Sequence, residues 1–141
     1  MKIRKGFVSN SSSSSFILAS KGELEMSDNI VTEVFKVEKS SPMFDLSKRV
    51  IKMMIDKSER IDNFNEWLEH EYGTFDDADD YKEEVLAYSE VKMMKELFDK
   101  NFIVRKGSFY NDSGNSLEEF LCDGFSFEYD GENLFIKNER Y

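Results

Sequence analysis

Nine carboxylates fall between residues 66 and 84: Glu66, Glu69, Glu71, Asp76, Asp77, Asp79, Asp80, Glu83 and Glu84. One lysine, Lys82, answers them, so this stretch carries −8 of the chain's formal net charge of −10. On a helix, residues three or four apart share a side. Asp76, Asp79 or Asp80, and Glu83 then form one strip, with Asp77 and Glu84 beside it. Held outward, such a strip is either a solvated face that keeps a small protein in solution or an imitation of a row of phosphates. The second form would dock in a basic groove of a nucleic-acid enzyme or another protein. A hard cation would be the third partner for clustered carboxylates. The run Asp76-Asp77-Ala78-Asp79-Asp80-Tyr81 has neither the spacing nor the glycine of a calcium loop, and no metal is expected.

Other chemistry is sparse. His70 is the single histidine, between Glu69 and Glu71, which excludes a multi-histidine metal cage and reads as a surface side chain. Cys122, the single cysteine, follows Phe120 and Leu121 and reads as a small buried residue rather than a nucleophile; it permits no intrachain disulfide. The seven glycines stand apart at turns, with no phosphate-binding loop and no nucleophile elbow. No cofactor is expected. Phe64, Trp67 and Tyr72 recur at helical spacing and read as core. The serine tract is the remaining candidate. Asn10 and Ser11, Ser12, Ser13, Ser14 and Ser15 read as a loop whose backbone N–H groups and hydroxyls could hold an anion, helped by Arg4 and Lys5.

The stretch Arg4 to Ile17, RKGFVSNSSSSSFI, resembles an N-terminal motif that recurs in uncharacterised proteins of bacteriophages and Gram-positive bacteria. The resemblance covers about a tenth of the chain. It implies a phage or mobile-element protein in a bacterial cytoplasm, and no activity or catalytic residue comes with it.

The elements that must carry these residues follow from pattern. At 141 residues, with 40% hydrophobic content and 13 Phe, the chain is read as one domain, residues 1–141. No apolar run reaches the length of a membrane span. Strands are expected at 2–8, 14–19 and 29–37, the first two flanking the serine loop, with Lys21-Gly22 as a hairpin turn. Helical stripes follow: Leu46, Val50, Met53 and Met54; then Ile61, Phe64, Trp67, Leu68 and Tyr72, closed by Gly73. A third helix is expected from Thr74 to about Lys100, with Tyr81, Val85, Tyr88, Val91, Met94 and Phe98 as its apolar side. Strand 102–110, a short helix from Ser116, and a closing hairpin turned at Asp130-Gly131 complete the chain. The expectation is an α+β fold, with a mainly antiparallel sheet from N- and C-terminal hairpins and about three central helices packed on one face.

Residues 61–100 carry 13 acids against four bases, a balance that would repel a phosphate backbone, so direct nucleic-acid binding is disfavoured. The reading is a non-enzymatic phage-type interaction protein whose partner is a protein with a basic surface, an inhibitor or modulator. Its contacts would be Glu69, Asp76, Asp77, Asp79, Asp80, Glu83 and Glu84. The alternative is an enzyme or ligand-binding protein that holds a phosphate-bearing molecule at Arg4, Lys5 and Asn10 to Ser15. A homodimer formed through an exposed sheet edge is a third class.

Overall fold

A computed structural model describes residues 13–24, 26–74, 80–124 and 127–140. Five strands form one sheet in the order β2-β3-β1-β5-β4, every neighbour antiparallel. They are β1 (Ser13–Ser20), β2 (Ser58–Ile61), β3 (Ile103–Tyr110), β4 (Glu128–Asp130) and β5 (Leu134–Arg140). The helices are α1 (Asp28–Phe35), α2 (Phe44–Lys57), α3 (Phe64–Tyr72), α4 (Asp80–Leu86), α5 (Ser89–Asp99) and α6 (Ser116–Gly124). The fold is α+β with an antiparallel sheet, as the pattern predicts.

The helices, expected on one face, occupy both, and β1 is the reason. Its alternating side chains are apolar on each side. Phe16 and Leu18 enter a core with Val34 of α1, Val50, Ile51 and Met54 of α2, and Leu121 and Cys122 of α6. Ile17 and Ala19 enter the other, with Trp67 and Leu68 of α3, Val85 of α4, and Val91, Met94 and Leu97 of α5. A central strand with both sides apolar must be covered twice.

Two expected elements differ. Residues 29–37 are no strand: most of them lie in α1. Val31 and Val34, three apart, are both buried, which suits a helix as well as alternation suits a strand. The ends decide. The Ser27 side chain accepts from Ile30 N–H, and Lys36 closes the helix in the left-handed region at φ 59°. Lys39 and Lys48 both reach Asp28, at 3.1 and 3.2 Å, and hold its carboxyl below its ordinary value. The turn at Lys21-Gly22 therefore leads into a helix, and β1 pairs with β3 and β5 instead of a hairpin mate.

The long helix expected from Thr74 is, within the described residues, two helices. Val85 and Met94 are both fully buried in one core. Nine residues make about two and a half turns, so a straight helix would aim them in opposite directions. Tyr88, extended at ψ 140°, breaks the helix and resets the phase. The expected N-terminal strand at 2–8 lies outside the described residues.

Elsewhere local signals and structure agree. Asn63 caps α3 by accepting from Glu66 N–H at 2.9 Å, and Gly73, at φ 88°, closes it. The hairpin β4–β5 is tied by Gly131 N–H to Leu134 O at 2.9 Å. In α6 the cap is Asn115, which accepts from Glu118 N–H, rather than Ser116. The stretch after α2 differs: Ile61, expected at the head of a helical stripe, belongs to edge strand β2, and the helix begins at Phe64.

Gly107 of β3 lies opposite Phe16, whose ring stacks on Phe109 with centroids 4.8 Å apart. A Cβ on Gly107 would lie 2.4 Å from that ring and 2.7 Å from Lys57 O. Alanine normally stabilises a strand relative to glycine. Here Gly107→Ala is expected to lower stability by about 1–3 kcal/mol, read as an earlier midpoint in urea unfolding.

Candidate functional site

A groove of about 810 Å³ lies between α3 and the β2–β3 edge of the sheet. One wall is α3, which presents its cap Asn63 and then Glu66, Trp67, His70 and Glu71 along its length at helical spacing. The other side is β2 with Glu59, Arg60 and Ile61, and β3 with Lys106, Gly107, Ser108 and Tyr110; Lys57 lies at the end of α2.

Its cations are held by the chain's own acids. Lys106 Nζ donates to Glu71 Oε1 at 3.1 Å and stands 5.9 Å above the Trp67 ring. Arg60 Nε is 3.6 Å from Asp62. Lys57 Nζ is 2.9 Å from Glu118, a buried carboxylate that also accepts from Tyr110 N–H at 2.8 Å. Burial pushes the Glu118 carboxyl upward, but hydrogen bonds from Lys57, Tyr110 and Ser113 outweigh it and hold the group below its ordinary value. Beside this network, Arg105 ties β3 to β2, its Nε donating to Ser58 Oγ at 2.8 Å. Glu59 and Glu66 are exposed and hold no ion pair among the described residues.

The aromatic stripe read as core is that. Trp67 is buried and contacts Phe64 and Tyr72, and Tyr72 meets Tyr88 at the helix break. Its indole Nε1–H has no acceptor among the described residues. His70 is a surface side chain, 85% exposed, beside Glu71. Cys122 is buried.

The predicted contact residues divide. Glu69 of α3 and Glu83 and Glu84 of α4 are exposed and form no ion pair among the described residues. Asp80 opens α4. Asp76, Asp77 and Asp79 lie outside the described residues. α3 and α4 cover the same side of the sheet through Trp67, Leu68 and Val85. Of the predicted anion loop, Arg4, Lys5, Asn10, Ser11 and Ser12 lie outside the described residues. Ser13, Ser14 and Ser15 are strand, not loop: β1 pairs them with β3, and Ser14 and Ser15 also with β5. Backbone N–H groups committed to a ladder are not offered to an anion.

Sequence reasoning missed the groove. Glu71 and Lys106 are 35 positions apart, and the packing of α3 on the sheet brings them together. No three or more His, Cys, Asp or Glu among the described residues are grouped to hold a metal ion. No helix among them is long and apolar enough to cross a membrane. Comparison with protein-family models, curated proteins and solved structures found no match to this chain.

The Glu118 network makes a pH-dependent contribution. A carboxyl whose folded value is depressed adds stability above its unfolded value, and that stability is lost as pH falls through the folded value. Glu118→Gln is expected to cost about 1–3 kcal/mol at neutral pH. The gap from the wild type should narrow as denaturant titrations are moved toward roughly pH 3.

Proposed function

We propose that this chain is a non-enzymatic interaction protein of phage type. In this reading it docks the acidic face of α3 and α4 against a basic surface of a host or phage protein in the bacterial cytoplasm. Glu69, Asp80, Glu83 and Glu84 supply the charge, with Asp76, Asp77 and Asp79 between the two helices in sequence. The partner is inhibited or modulated, in the manner of a protein meeting a row of phosphates.

The observation that carries this reading is a contrast. Neighbouring α5 has two of its acids paired by lysines one turn away: Asp99 with Lys95, and Glu96 with Lys100 just past its end. Glu71 is paired by Lys106. Glu69, Glu83 and Glu84, on the same side of the molecule, are left exposed and without ion pairs among the described residues. Carboxylates in that state attract a cationic surface over about a Debye length, near 10 Å at 0.1 M salt. The resemblance at Arg4 to Ile17 supports the phage setting.

The test is a quantitative pull-down from host lysate. Reversing Glu69, Asp80, Glu83 and Glu84 to Lys should abolish the wild-type capture. Glu38→Lys, beyond α1 on the other side of the sheet, should preserve it. Wild-type capture should weaken as salt is raised. Equal capture by the reversed variant removes the acidic-face reading.

A further inference from the structure

The groove beside α3 adds chemical detail to the partner. Its three cations are already engaged: Lys57 by Glu118, Lys106 by Glu71, and Arg60 by Asp62. Two carboxylates on the facing walls hold no ion pair among the described residues, Glu59 of β2 and Glu66 of α3. An anion entering here would find no uncommitted positive charge, and Glu59 and Glu66 would lose water without compensation. A cationic occupant reverses both effects.

Two further observations point to a peptide. Trp67 lines the groove, is 6% exposed, and its indole N–H lacks an acceptor among the described residues. A buried donor in that state favours an occupant that brings a carbonyl oxygen. Among the described residues β2 is an edge strand of the sheet, with no strand paired on its side away from β3.

We propose that the groove receives an extended, lysine- or arginine-bearing segment of the protein partner. Its cations pair with Glu59 and Glu66, and a main-chain carbonyl accepts from Trp67 Nε1. This rests on the acidic-face reading for the partner's basic character, and it adds the form of the segment and the place where it lies.

Trp67 is the chain's one tryptophan, so its emission reports on this groove alone. The probe is a short labelled peptide of alternating lysine and alanine, titrated at low salt into the full chain. Label anisotropy follows binding, and tryptophan emission follows occupancy. Both signals should change over the same concentration range, and an alternating glutamate and alanine peptide should change neither. The double variant Glu59→Gln with Glu66→Gln should weaken binding roughly tenfold, near 1.4 kcal/mol, with its circular dichroism unchanged. Glu83→Gln with Glu84→Gln should weaken it far less.

Peptide that binds without altering Trp67 emission, and is lost only in the Glu83 and Glu84 variant, overturns the groove assignment and leaves the acidic-face reading standing. Absence of binding by the lysine peptide also overturns the groove assignment. The acidic-face reading is then decided separately by the lysate capture.

Discussion

Strand β1 is apolar on both of its sides, and the rest of the molecule answers that constraint. Phe16 and Leu18 face one core, and Ile17 and Ala19 the other. A strand of this kind has to be central, so β3 and β5 flank it and the shorter β2 and β4 fall to the edges. Helices must then cover both faces, because either core left open would expose a sheet of apolar side chains to water. The slot at Gly107, where the Phe16 ring lies against the β3 backbone, marks how closely β1 and β3 are fitted.

With the interior committed in this way, most charge lies on the outer faces of helices and on half-buried or exposed strand positions, and the buried Glu118 is answered by Lys57. Exposed ion pairs contribute little to stability, so their main consequence is the pattern of charge left over. Asp28 is answered twice, by Lys39 and Lys48, and Asp56 and Asp99 by lysines one turn away. In the groove Lys106 and Arg60 are answered by acids of its own lining, Glu71 and Asp62, and Lys57 by Glu118 of α6. Among the described residues, Glu59 and Glu66 inside the groove and Glu69, Glu83 and Glu84 on the helices beside it hold no ion pair, and Lys82 is the exposed cation of α4. The proposed docking surface is thus defined as much by lysines engaged elsewhere as by the acids themselves.

The aromatic contacts explain why the acidic helices stay together. Tyr72 at the end of α3 meets Trp67 of its own helix and Tyr88 at the start of α5. The break at Tyr88 lets α4 and α5 each seat a valine, Val85 and Val91, in the same core. One continuous helix would have turned part of that apolar stripe, and the charges opposite it, around the axis.

Much of the fold was legible where the deciding signal is short-range. Gly73 closes α3 and Asp130-Gly131 turns the last hairpin, because caps and turns act within a few residues. The carboxylate band was legible as composition. Two mistakes arose where a pattern fits two periods: Val31 and Val34 suit helix or strand, and the apolar residues from Tyr81 to Phe98 conceal a phase drift that only burial against one sheet exposes. Which carboxylates remain unpaired was decided by tertiary structure alone. Glu71 meets Lys106, and Glu118 meets Lys57, through strand pairing and helix packing that bring together positions far apart in the chain. Local propensity is a property of neighbours along the chain, whereas the charge left uncompensated on a surface depends on every residue that folding brings near it.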